Sequence, residues 1–313
     1  MFNKRHAVNE VFTPRRNDVN REIYVDRPEL EKELRRALGG SLHCVIFGES
    51  GSGKSWLYKK VLQDMGAQTA AANCANAVRF GSLTEEIRKL VTSENPKRLS
   101  EVDEQMDARV KAVVAEGGLT SKRVYEMAEE DPVLECFRLL RERAGKAPAV
   151  LIIDNLELIF SSNEMMHELS SIITLLDDSR YSKYGVKLLV VGVPSGVREY
   201  LSQMHASVGN RLSEISEVSS LSKEEVATLV ETGFVKLLRV DIASETLAAW
   251  QDHIYTVTMG FAQPVQEYCE QLGYIVEDAN WKGGTEQLSK ADAAWLKQGL
   301  SQASGTIAQL MNL

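Results

Sequence analysis

Eight consecutive residues, Gly48, Glu49, Ser50, Gly51, Ser52, Gly53, Lys54 and Ser55, satisfy G-x-x-x-x-G-K-[ST] at every fixed position. The chemistry of that spacing is anion capture. Glycines permit a tight loop whose amide hydrogens turn inward, and a helix beginning at the loop adds the positive end of its dipole. Lys54 is placed to reach β- and γ-phosphates, and the Ser55 hydroxyl to ligate magnesium. The spacing therefore points to a nucleoside triphosphate held with Mg²⁺, provided that a strand precedes the loop and a helix follows it.

A second group lies about a hundred residues on. Ala149 to Ile153 are uninterruptedly apolar and run straight into Asp154. An aspartate at the carboxyl end of a parallel strand stands where such sheets place ligands, and it can hold magnesium; its plainer role is a helix cap. The next residue is Asn155. An amide can hold a water but cannot take its proton; Glu157, two residues on, or Glu49, inside the phosphate loop, could serve instead. Slow or partner-stimulated hydrolysis is the expectation. Ser195 closes a third apolar run (Leu188 to Val193, then Pro194) and can face the γ-phosphate or the attacking water, or simply form a turn. Arg211, in SVGNRLSEI, precedes a short strand and can reach a neighbouring subunit's γ-phosphate; its plainer role is a salt-bridged surface arginine. An arginine finger is worth roughly three to five powers of ten in rate where it operates. The five histidines have no ligand spacing and read as structural or surface groups.

These residues need elements to position them. Leu30, Leu34 and Leu38 recur every four positions after Asp26 and Pro28, and Gly39-Gly40 ends that helix. Cys44 to Phe47 form the buried strand before the loop, and Trp56, Leu57, Val61 and Leu62 give the helix after it. A weaker strand spans Thr69 to Cys74, with a helix near 82–91. Residues 92–130 are charged and read as a helical insertion, with a helix over 101–115. Pro132 and Gly145 bracket another helix, and further helices are expected over 163–178 and 196–205. Largely uninterrupted apolar strands separated by helices describe a parallel sheet covered on both faces. From Ser222 onward the chain is helical, with spans near 245–257, 262–272 and 286–310. The expected fold class is α/β: a three-layer P-loop NTPase core over 22–218, preceded by a polar arm (1–21). A small all-helical lid (219–275) and a helical tail (276–313) follow.

Hydrophobic residues make up 44% of the 313 and charged residues 26%, which excludes a disordered or fibrous chain. No stretch approaches 18 consecutive apolar residues, and the first residues show no secretory pattern, so a cytoplasmic protein with no membrane partner is expected. The four cysteines have no C-x-x-C spacing, which fits a reducing compartment. The net charge of −8 is carried by residues 213–313, with 14 acidic and 6 basic side chains. That end is poorly suited to a phosphate backbone. Nucleic-acid contact is left to local clusters such as Lys4, Arg5, Arg15 and Arg16, or Arg138, Arg141 and Arg143, both of which also read as solvated surface charge.

The order of these features resembles the AAA+/STAND group of bacterial ATPases, near the origin-recognition and transposon-ATPase branch. It is carried by the loop at 48–55, Asp154 after its strand, LLVVGVPSGVREYL, the Asn210-Arg211 pair in SVGNRLSEI, and TMGFAQPVQEYCEQLG. The resemblance implies Lys54 and Ser55 as Walker A, Asp154 as Walker B, Ser195 as sensor 1, Arg211 as the finger-like arginine and 222–275 as the lid. Two departures stand out: Asn155 in place of the usual glutamate, and no arginine or lysine over 260–266 for sensor 2. The expected function is a nucleotide-dependent, homo-oligomerising switch for a separate effector protein, with anti-phage defence implied by the resemblance alone. The alternatives are a DNA-loading or target-selecting ATPase and a hydrolysis-deficient ATP-bound scaffold. A metabolic kinase is disfavoured, since nothing marks an acceptor-substrate pocket.

Overall fold

The structure, a computed structural model, describes residues 5–93, 131–192 and 206–311. Ser195, most of the 92–130 insertion and the helices expected over 101–115 and 196–205 lie outside them. In chain order the described elements are α1 (Val8–Val11), α2 (Pro28–Gly39), β1 (His43–Ile46), α3 (Lys54–Asp64), β2 (Gln68–Asn73), α4 (Cys74–Phe80), α5 (Leu83–Ser93) and α6 (Pro132–Ala144). There follow β3 (Ala149–Asp154), α7 (Asn163–Leu175), α8 (Ser179–Ser182), β4 (Val186–Val191), α9 (Ala206–Gly209), β5 (Leu212–Glu214), α10 (Lys223–Val230), α11 (Ser244–Thr258), α12 (Ala262–Asp278) and α13 (Thr285–Met311). The chain divides into a sheet unit (29–48 and 61–217) and a helical unit (1–28, 49–60 and 218–313).

Among the described residues, the sheet unit holds five parallel strands in the order β2-β3-β4-β1-β5. Period-two alternation explains why the central strands are apolar throughout. Ala149, Leu151 and Ile153 of β3, and Val186, Leu188 and Val190 of β4, enter one core with Val133, Phe137 and Leu140 of α6 and Met166, Leu169 and Ile173 of α7. Val150, Ile152, Leu189 and Val191 point to the opposite face and are equally buried. Both faces are therefore covered. β2 is an edge strand with Gln68, Thr69 and Ala71 exposed, which is why its sequence signal is weak. The helix expected over 163–178 stops at Leu175 because Asp178 starts a new turn, its carboxylate accepting from the Arg180 amide at 2.9 Å. The cluster Arg138, Arg141 and Arg143 is partly consumed inside this unit. Arg141 donates to the carbonyls of Tyr184, Gly185, Gly145 and Ala147, and Arg138 pairs with Glu135 and Glu142.

The helical unit has its own core of Phe12, Phe234, Trp250, Tyr268 and the aliphatic residues around them. Here the structure departs from the expected division. The N-terminal residues are no polar arm: Val8, Val11 and Phe12 are buried, and Phe12 lies 5.0 Å, centroid to centroid, from Phe234. Room for them is made by glycine. A Cβ on Gly233 would stand 2.4 Å from the Phe12 ring, and one on Gly273 would stand 2.7 Å from Val8. Gly233 lies in a π-helical stretch, Glu231–Leu237, that continues α10. Arg5 donates to the carbonyls of Leu238 and Arg239 and lies over the Trp281 ring. The tail also joins this core: Ala291 is fully buried and Trp295 stacks edge-on against Tyr268. Asp292 accepts from Tyr268 at 2.6 Å and meets His253 at 2.7 Å, linking α11, α12 and α13. None of the four cysteines is in a disulfide, and all four are buried. Among the described residues no helix is long and apolar enough to cross a membrane.

Candidate functional site

In the sheet unit, the carboxyl ends of parallel strands converge on one edge, where β1 delivers the chain to Gly48 and β3 to Asp154. Asp154 is half-buried and its Oδ1 accepts from the Asn155 amide at 2.9 Å. Asn155 adopts a left-handed conformation with φ of 60°, tolerable for asparagine more than for most residues. Its Nδ2 donates to Oδ1 of Asn73, 3.1 Å away, at the end of β2. Asn73 is the register partner of Asp154, and the same Oδ1 caps α4 by accepting from Ala75. Glu86 of α5, only 3% exposed, accepts from the Asn73 amide at 3.1 Å and from Asn76 at 3.3 Å. Glu168 of α7 in turn holds the start of α5, accepting from the Leu83 and Thr84 amides. Glu157 is exposed, and its carboxylate lies 3.8 Å from where a Cβ on Gly192 would stand, just past β4. Burial foremost, then the charges of Asp154, Glu157 and Glu86, push the Cys74 thiol up to about 12. The carboxylates of Asp154, Glu157 and Glu86 thus lie near Cys74 at that edge.

Sequence reasoning missed Asn73 and Glu86. Asn73 was legible in part, as a polar residue closing an apolar run before a helix; its pairing with Asn155 was not.

Arg211 sits at the other edge. It immediately precedes β5, its carbonyl accepts from the His43 amide at the start of β1, and its Nε lies 2.6 Å from Oδ2 of Asp177. β1 spans four residues, on the order of 13 Å, so Arg211 and the carboxyl edge of its own sheet are well separated. The His43 pKa is lowered to about 4, chiefly by burial, with Lys187 adding to the effect; Nδ1 accepts from the Leu188 amide at 3.1 Å.

The phosphate-loop residues 49–55 belong to the helical unit. Gly51 and Gly53 have φ of 79° and 98°, open to glycine and strained for other residues. The loop runs directly into α3. Lys54 Nζ donates to the Glu49 carbonyl at 2.8 Å, folding back over the loop, and the Glu49 side chain is exposed. Ser52 is fully buried and its Oγ has no hydrogen-bond partner. An unmatched buried donor of this kind suits a loop shaped around an anion. Ser50 is exposed and Ser55 half-buried at the first turn of α3. The Ser55 hydroxyl is a hard oxygen donor of the kind Mg²⁺ takes alongside phosphate oxygens and water. Among the described residues no group of three or more His, Cys, Asp or Glu side chains is placed to hold a metal ion.

Residues 36–201 match the family described as "AAA domain". No curated protein matches the chain in sequence. A Walker-type ATPase of Pyrococcus abyssi superposes with a TM-score of 0.62 at 15% identity, covering 95% of this chain and 79% of that one. The Aeropyrum pernix ORC2 protein in its ADP form gives 0.60 at 17% identity, covering 90% and 71%. The Thermotoga maritima RuvB Holliday junction branch migration motor gives 0.52 at 14% identity, covering 90% and 72%. At these identities the likeness is one of fold.

Proposed function

The chain belongs to the AAA domain family, and from that premise we propose that it binds Mg·ATP, hydrolyses it slowly and uses the bound state to assemble with copies of itself. Lys54 holds the β- and γ-phosphates, with the amides of Gly48 to Gly53 around them. Ser55 and Asp154 are the metal ligands, and Ser195 and Arg211 respond to the γ-phosphate, Arg211 from a neighbouring copy. The assembled form acts on a separate effector protein in the cytoplasm; the anti-phage setting is supported by the family resemblance alone. The observation that carries slow turnover is the residue after Asp154. Asn155 is an amide bound to Asn73, so the position next to the metal-binding carboxylate lacks a proton acceptor.

A second reading, loading onto DNA, is favoured by the likeness to origin-recognition proteins, one of which was solved in complex with DNA.

Light scattering beside phosphate release separates the two. The conditions are no nucleotide, ADP-Mg²⁺ and ATP-Mg²⁺, each with and without duplex DNA. ATP-driven growth in mass with little phosphate supports the switch. Growth only when DNA is present supports loading, and an unchanged mass under every condition sinks both. Lys54→Ala is the control: assembly that persists in it unchanged would defeat the nucleotide switch.

A further inference from the structure

The lid helix α12 meets the phosphate loop inside the helical unit. The amide of Gln263 donates to the Gly51 carbonyl at 3.0 Å. A Cβ on Gly51 would touch Gln263 and Pro264 at 3.5 Å, and one on Gly53 would touch the Cβ of Ala262 at 3.4 Å. Gly51 occupies a position that the G-x-x-x-x-G-K-[ST] pattern leaves open. The approach is made without a cation, since 260–266 contain no lysine or arginine. The donors at the start of a helix have no intrahelical partner. Val265 already reaches Phe261 and Pro264 has no N–H, while the Gln263 amide is an orphan that the loop satisfies.

The same helix is tied to α3 a second time through residues 13–17. Gln266 Oε1 accepts from the Thr13 amide, and Glu267 pairs with Arg15 and accepts from the Gln263 side chain. One and two residues on, the Arg16 carbonyl accepts from Trp56 and Asn17 from Lys59, both on α3.

We propose that Ala262 and Gln263 are positioning residues that dock the lid helix on the phosphate loop through the Gly51 carbonyl, and that this docking sets the rate of nucleotide release. The release half rests on the nucleotide-binding reading above; the docking half does not. Release requires the loop to relax, and a loop whose turn is held by α12 relaxes only when α12 lifts.

Amide exchange followed by NMR on the nucleotide-free protein tests the docking. The Gln263 amide is protected in the wild type and loses protection in Ala262→Leu, while amides over 268–276 keep theirs and Ala262→Ser behaves as wild type. Stopped-flow release of a fluorescent ADP analogue tests the consequence. Ala262→Leu, and Gln263→Pro, which deletes the backbone donor at a helix start that tolerates proline and with it the side-chain bond to Glu267, release it about three- to tenfold faster. A wild-type Gln263 amide exchanging at the unprotected rate overturns the docking. Release at the wild-type rate in both variants overturns the control of release. Should the wild type bind no ADP analogue, the nucleotide reading fails, and with it the control of release, while the exchange data still decide the docking.

Discussion

The carboxamide of Asn155 donates to that of Asn73, joining the residue after Asp154 to the end of the neighbouring strand. Behind Asn73 stands the buried Glu86. The side chain expected to prepare a water is thereby fixed to the sheet, and it is not a base.

Replacing Asn155 with glutamate restores a proton acceptor beside Asp154. Asn155→Glu is expected to raise phosphate release at saturating ATP on the order of a hundredfold, the low end of general-base contributions. An unchanged rate would show that Glu157 or Glu49 already supplies the base, or that another step limits turnover.

Arg211 lies at the amino edge of the sheet, paired with Asp177, and Asp154 at the carboxyl edge. It is therefore expected to act on a neighbour. Arg211→Ala alone should lose most of its hydrolysis, and so should Lys54→Ala alone. Mixed in equal amounts they should recover activity, because an Arg211→Ala copy keeps its own loop and borrows the arginine of a Lys54→Ala copy. No recovery in assemblies shown to be mixed would place Arg211 in a purely structural pair.

His43 is buried and neutral, its pKa lowered from 6.5 to about 4. Unfolding lets it protonate more readily, so its contribution to stability is complete above pH 6.5 and is lost as pH falls from there through 4. The loss is on the order of 3 kcal/mol. Thermal denaturation across that range should show the slope. His43→Asn, whose Oδ1 can accept from the Leu188 amide in place of Nδ1, should flatten it.

Gly260 holds φ of 73°, and a Cβ there would stand 2.3 Å from the Leu221 carbonyl, whose own amide donates to Gly260. Gly260→Ala is expected to cost about 2–4 kcal/mol, combining left-handed strain with a backbone clash. Denaturant melts of the two proteins check this, and equal midpoints would contradict the packing described.

What could be read from sequence followed from locality. β1, β3 and β4 are short apolar runs ending at turn residues or at Asp154, and burial on both faces leaves that signature. The loop at 48–55 is a contiguous string. The Asp131 cap and Pro132 start α6 within three residues of each other. Illegible features depended on distant partners. Asn73 and Asn155 are 82 positions apart. Val8 and Phe12 looked like members of a polar arm because their partners, Gly273 and Gly233, lie more than two hundred positions away. The π-helical widening at Gly233 leaves a three-and-four periodicity nearly intact, so the run from Val226 to Leu238 looked like one regular helix.

The buried cysteines have a practical corollary for labelling the helical unit. Burial foremost lifts the Cys44 and Cys74 thiols to about 12 and raises that of Cys269 as well, and Cys136 is 2% exposed. Thiolates, the species that maleimides attack, are scarce at all three of the raised sites. A single cysteine introduced at an exposed position, such as Met259 beside the start of α12, would take up a fluorophore against a nearly silent background. The native protein is thus ready for site-specific fluorescent labelling without first removing any cysteine of its own.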